Sequence, residues 1–186
     1  MSVDVFRRRF TVDEYLKMVE TGILNEDDRV ELLDGEVVTK MTTGPAHNAS
    51  VANLNRLLIL GIGSRAVLLL GPTVRLSKMS APEPDLLLVR PEPRSYRDRY
   101  TEPGDVLLLI EVADSSLSRD RNLKLPLYAE AGIQEYWIVN EQERMIEVYL
   151  EPSGSGYRPA RAYGRAETVS PSAFPDLRIS LDEIFA

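Results

Sequence analysis

Three carboxylates stand where acidic side chains are unusual. Glu111 follows the apolar run Val106 to Ile110, Asp85 precedes Leu86 to Val89, and Glu31 lies in the short apolar run Arg29 to Leu33. An ionised carboxylate in an apolar strand is costly unless it is paired, hydrogen-bonded or bound to metal. At the ends of their strands, Asp85 and Glu111 can leave the core and face a cleft. Three converging carboxylates would repel one another and hold at least one proton, a penalty that a divalent cation removes. These residue types point to an oxygen-ligand site for a hard cation. Ordinary ion pairing is the competing account: Asp85 closing a loop by accepting backbone N–H groups, Glu111 meeting an arginine, Glu31 exposed on a hairpin.

Two further residues could join such a site. Lys124 lies one helical turn after Asp120, a spacing that by itself reads as an exposed i,i+4 salt bridge. His47, the one histidine of the chain, falls near a helix start and reads as a surface or hydrogen-bonded residue. The chain has no cysteine, which excludes disulfides, thiolate zinc sites, iron–sulfur clusters and cysteine nucleophiles. A single histidine excludes sites needing two imidazoles from one chain. The sequence carries no P-loop, no dinucleotide-binding glycine pattern after a strand and no Gly-x-Ser-x-Gly elbow.

The elements that must position these residues are set by local signals. Thr11 and Glu14 form a capping box that opens a short helix closed by Gly22. Arg29 to Leu33 and Glu36 to Met41 read as strands joined by Asp34-Gly35, a type I′ hairpin turn. Gly44-Pro45 breaks the chain, and Ala46 to Leu60 reads as a helix with Val51, Leu54, Leu57 and Leu58 on one face. Ala66 to Leu70, Thr73 to Ser77 and Asp85 to Arg90 read as strands. Val106 to Val112 is the strongest strand, apolar enough to be covered on both faces. Leu117 to Ala131 reads as a helix kinked at Pro126, which leaves the Asn122 carbonyl free. Gln134 to Asn140 and Met145 to Glu151 are strands around a turn. One or two outer strands within Tyr157 to Val169 and a short helix over Leu181 to Phe185 complete a mixed α/β chain.

At 186 residues with 44% hydrophobic and 27% charged content, the chain fits one globular domain. Its net charge of −7 gives no general attraction to nucleic acid or anionic membrane, so phosphate contact must be local. The clusters Arg7 to Arg9 and Arg94, Arg97 and Arg99 read as solvated surface. No signal peptide or membrane span is evident, which points to the cytoplasm.

Several blocks occur in a telling order: Val30 to Val37 (VELLDGEV), His47 at a helix start, Pro84-Asp85-Leu86, Ile110-Glu111-Val112, Lys124 to Ile133 (KLPLYAEAGI) and Glu135 to Val139 (EYWIV). Together they closely resemble the Uma-two family of restriction-endonuclease-like bacterial proteins, a branch of the PD-(D/E)XK nuclease superfamily, from about Phe10 to Phe185. The resemblance implies a restriction-endonuclease-like α/β core, a central mixed sheet flanked by helices. It implies a single domain over 1–186: an N-terminal helical region 1–28, a catalytic core 29–140, and C-terminal strands with a terminal helix over 141–186.

By position, Asp85 matches the acidic residue of the PD motif and Glu111 that of the (D/E)XK strand. Ala113 stands where the superfamily usually has lysine, and Lys124 matches a lysine displaced to the next helix. Glu31 matches the upstream glutamate, and His47 a family histidine. The activity this resemblance implies is Mg²⁺- or Mn²⁺-dependent hydrolysis of phosphodiester bonds in DNA. Asp85 and Glu111 would hold the ion, Glu31 the metal shell or a second ion, and Lys124 the attacking water or the developing charge. A homodimer is expected, with exposed strands near Tyr136 to Tyr149 as its interface. The rival class is a non-catalytic oligomeric binding or accessory protein that retains the fold, which the acidic charge favours.

Overall fold

The computed structural model describes residues 7–186; of the N-terminal region 1–28, residues 1–6 lie outside the described residues. Helix α1 (Val12–Glu20) opens with the expected capping box. Thr11 Oγ1 accepts the Glu14 N–H at 3.2 Å, and Glu14 Oε2 accepts the Thr11 N–H at 2.9 Å. Val12 and Tyr15 of this helix pack on Leu32 and Ala81. Leu32 belongs to the hairpin of β1 (Val30–Leu33) and β2 (Glu36–Thr39). At its turn, Asp34 and Gly35 take φ of 46° and 77°, the positive pair a type I′ turn demands. Gly35 is also required sterically, because a β-carbon there would come within 2.6 Å of Arg9 Cβ. Side chains alternate along a strand, so with Leu32 turned to α1, Glu31 faces the opposite side. Glu31 is 1% exposed, which overturns the reading of it as an exposed hairpin residue.

Helix α2 (Pro45–Ile62) starts with proline in its first turn, where the missing N–H costs nothing. Beyond it lies a six-stranded sheet, in the order β3 (Val67–Leu70), β4 (Leu86–Val89), β5 (Val106–Ala113), β6 (Glu135–Asn140), β7 (Met145–Leu150), β8 (Arg161–Tyr163). All neighbours are antiparallel except β5 and β6. A parallel pair needs a crossover, and the chain supplies one through α3 (Leu117–Arg119), a π-helical turn (Asp120–Lys124) and α4 (Leu125–Glu130). The short pair β9 (Thr168–Val169) and β10 (Ile179–Ser180) leads into α5 (Leu181–Ile184).

The period-two alternation of the central strands decides where the site sits. Leu86, Leu88, Leu108, Ile110 and Val112 pack with Leu54 and Leu58 of α2 on one face. Leu87, Val89, Leu109 and Ala113 pack with Tyr128 and Leu125 of α4 on the other. Glu111 has the parity of the second set, so it points toward the crossover helix. One step beyond the ladder pair Leu86–Ile110, Asp85 comes opposite Glu111.

Three expectations need correction. Thr73 to Ser77 is no strand of the sheet. Its backbone N–H groups are taken singly by loops, Val74 by the Pro82 carbonyl, Arg75 by Thr101 and Leu76 by Ser80, although Val74 and Leu76 are buried as their pattern suggested. The helix Leu117 to Ala131 is not one kinked rod. The turn before Pro126 widens, the Leu125 N–H reaching back to the Asp120 carbonyl, and Pro126 falls in the first turn of α4, where it is tolerated. The strands Tyr136 to Tyr149 are not exposed: β6 is buried throughout and paired on both edges, and β7 lies between β6 and β8. The arginine clusters are surface features, with Arg8, Arg9, Arg94 and Arg99 in exposed or half-exposed pairs with Glu14, Asp34, Asp98 and Asp105. Among the described residues no helix is long and apolar enough to cross a membrane.

Candidate active site

Asp85, Glu111, Lys124, Glu31 and His47 all line one cavity of about 120 Å³. Each arrives from a different element: the entry to β4, the end of β5, the π-helical turn, β1 and the first turn of α2. Asp85 is anchored on both sides. Its Oδ2 accepts the Val112 N–H at 2.8 Å, and its Oδ1 lies 3.1 Å from His47 Nε2. Burial opposes the imidazolium of His47, but the bond to Asp85 and its charge outweigh this and raise the histidine above its ordinary value.

Lys124 is the hub. Its ammonium lies 2.9 Å from Glu111 Oε1 and 3.1 Å from Glu31 Oε2. Glu31 Oε2 also accepts the Glu83 N–H at 3.1 Å. Lys124 is only 4% exposed, which corrects its reading as a surface partner of Asp120. Burial alone would lower its basicity, yet Glu111, Glu31 and Asp120 hold it protonated and raised. Glu111 Oε1 takes a second bond, from the Tyr128 hydroxyl at 2.7 Å. Burial pushes the Glu111 carboxyl up to about 8, against the pull of Lys124, and Asp120, Asp85 and Glu31 add to the rise.

Two members were not assigned to the site from sequence. Asp120 is 1% exposed and lines the same cavity, its Oδ2 accepting the Ser116 hydroxyl at 2.6 Å. Tyr128 is fully buried against Glu111. The signal was present in the spacing: Asp120, Lys124 and Tyr128 recur every fourth residue and so share one helix face. Ala113, where a superfamily lysine would stand, is buried in the core under α4, and Lys124 brings the ammonium to Glu111 from the helix instead.

The floor of the cavity holds more carboxylates than cations, with Glu31, Asp85, Glu111 and Asp120 set against Lys124 and His47. Oxygen donors in such surplus suit a hard cation. Among the described residues, no three carboxylate or imidazole groups form a finished cage. Lys124 occupies the space between Glu31 and Glu111. Asp85 and Glu111 are the pair that could hold a small cation, which characteristically takes one or two protein carboxylates and keeps several waters.

Residues 12–182 match the Uma2 family, described as "Putative restriction endonuclease". The chain belongs to the Uma2 family. A relative within reach of sequence comparison is the uncharacterised protein sll1609 of Synechocystis sp., 27% identical over 154 residues, spanning 80% of this chain and 85% of that protein. Among solved structures, a protein from Anabaena variabilis, titled a "putative nuclease belonging to DUF820", superposes with a TM-score of 0.75 at 18% identity, covering 95% of this chain and 97% of its own. That likeness establishes a shared fold, a mixed sheet flanked by helices.

Proposed function

We propose that this chain is a cytoplasmic, Mg²⁺- or Mn²⁺-dependent nuclease that hydrolyses phosphodiester bonds in DNA. The observation that carries this reading is the Lys124 ammonium held between Glu111 and Glu31 on the floor of a cavity that Asp85 and His47 also line.

Asp85 and Glu111 would hold the cation, Asp85 being pre-aimed by the Val112 N–H and His47. When bound, the cation supplies an acidified water and offsets negative charge on the phosphoryl oxygens. Lys124 has three N–H donors. Glu111 and Glu31 engage two, and the third is available to orient the attacking water or to bind a phosphoryl oxygen. Glu31 positions Lys124. His47 holds a proton at Nε2 toward Asp85 and fixes that carboxylate's rotation.

The test is a titration of Mg²⁺ and Mn²⁺ followed by melting temperature, together with a plasmid-nicking assay. A rise in melting temperature with nicking supports the reading; neither response defeats it. One observation favours the rival accessory role, namely that no three donors are gathered into a cage among the described residues. Metal stabilisation without cleavage of any nucleic acid would select that role. A homodimer belongs to the same proposal. The outer strands of the sheet are β3 and β8, so a second copy would add there rather than at β6, and sedimentation as a monomer at micromolar concentration would refute it.

A further inference from the structure

The floor of the cavity is acidic, yet its mouth carries cations. Arg29, Lys40 and Arg119 line the same cavity. Lys40 is spent, its ammonium lying 2.8 Å from Glu83 Oε2. The two arginines are not. Arg29 Nη2 donates to the Met41 carbonyl at 3.3 Å and Arg119 Nη1 to the Thr39 carbonyl at 2.8 Å. Both therefore grip the segment leaving β2, and both use neutral acceptors. Among the described residues neither guanidinium forms an ion pair with a carboxylate, a state they share with Arg56, Arg90, Arg97, Arg144 and Arg178, but Arg29 and Arg119 line the cavity. A guanidinium offers five N–H donors, so most of the donors on each remain for an anion. Arg29 also holds φ at 47°, a left-handed conformation that a residue with a β-carbon adopts only when its surroundings impose it.

The reacting groups lie below the surface, Glu111 being 5% and Lys124 4% exposed. A phosphodiester must descend into the cavity to meet them. A duplex holds its phosphates on a stiff rod, and seating one in a recessed cavity requires bending that rod, a deformation cost a single strand largely avoids. Tight duplex binding also draws on many phosphate contacts, and a chain of net charge −7 whose cavity-lining Arg29 and Arg119 have no carboxylate partner among the described residues does not supply them.

The geometry points to Arg29 and Arg119 as a two-point clamp for the phosphates flanking the scissile one, taking a flexible single strand in preference to a duplex. This rests on the nuclease reading above and names its substrate class. The clamp has a quantitative signature. On a single strand each neutralised phosphate contributes about 0.7 to the slope of log affinity against log salt.

The experiment is fluorescence anisotropy with a labelled single-stranded deoxyoligonucleotide and with its duplex, over a salt series, Ca²⁺ replacing Mg²⁺ to slow hydrolysis. The intact protein should bind the single strand at least tenfold more tightly than the duplex, with a slope of about −1.4. Arg29→Gln and Arg119→Gln should each reduce the slope to about −0.7, while Arg29→Lys and Arg119→Lys retain it. Glutamine keeps an amide donor for the Thr39 or Met41 carbonyl, and melting curves identify any variant that has lost its fold, in which case the glutamine variant at the other position decides. Unchanged slopes in both glutamine variants, or a duplex bound as tightly as the single strand, would overturn the clamp alone. If the intact protein binds and nicks no nucleic acid, the nuclease reading fails instead.

Discussion

The Lys124 ammonium lies 2.9 Å from Glu111 Oε1 across thirteen residues of chain. Strand β5 delivers the carboxylate on the face its parity dictates, and the crossover that makes β5 and β6 parallel brings the lysine back over it. The same ammonium reaches Glu31 on the β1–β2 hairpin, so one side chain ties the hairpin to the sheet.

That pair is buried, and removing one partner strands the other. Lys124→Met should lower unfolding free energy by about 3–5 kcal/mol, and combining it with Glu111→Gln should recover part of the loss. Urea denaturation of both variants measures this. A loss within about 0.5 kcal/mol, the scale of a surface substitution, would mean the pair is solvated.

Asp85 separates metal binding from folding if the substitution is chosen with care. Asp85→Ala leaves the buried Val112 N–H without its acceptor and should cost about 1–3 kcal/mol. Asp85→Asn keeps an oxygen there while removing the charge. The asparagine variant should melt close to the parent yet lose both the Mg²⁺-induced rise in melting temperature and nicking. Nicking at the parent rate would remove Asp85 from the chemistry.

Tyr128→Phe deletes the hydroxyl that donates to Glu111 at 2.7 Å. Above about pH 8, where Glu111 is ionised, the expected cost is about 1.5–3 kcal/mol, the range for a hydrogen bond to a charged group. Mg²⁺ affinity should change too, because Glu111 loses a fixed donor that sets its orientation. A stability loss with identical Mg²⁺ affinity would confine Tyr128 to packing.

Stability should depend on pH in a definite direction. The Glu111 carboxyl is raised from 4.5 to about 8 by burial, despite Lys124. A raised group contributes stability that is complete below its unfolded value and lost as pH climbs through the folded one. His47 and Asp120 are also raised and act with the same sign. Asp105, lowered first by its bond from Arg99, has the opposite sign and matters only as pH falls below the ordinary 3.8. The metal-free melting temperature should therefore decline from about pH 5 to about pH 8.5. Cation binding needs the ionised carboxylate, so the rise produced by Mg²⁺ should grow across the same interval. A larger Mg²⁺ effect in acid than in alkali would contradict the assignment of Glu111.

Some of this molecule was legible one segment at a time. The Thr11–Glu14 box, the Asp34-Gly35 turn and the doubly buried strand β5 depend on neighbours in sequence, and they stand in the structure as their residues required. The order of the acidic motifs was likewise enough to place the chain in its family. Lys124 and Asp120 show where such reading stopped. Their spacing matches a common surface pair, and only the path of the crossover helix turns both inward. Thr73 to Ser77 shows the same limit, since its apolar alternation was real but its hydrogen-bond partners came from distant loops.

Residue types, helix caps, tight turns and strand parity were settled by the sequence itself, because they are decided by sterics and hydrogen bonds within a few residues. Which cation meets Glu111, which arginines line the cavity mouth, and which carboxylates share a floor were decided by tertiary structure alone. Desolvation and Coulomb energy depend on distance in space, and that distance exists only once the strands, hairpin and crossover have packed.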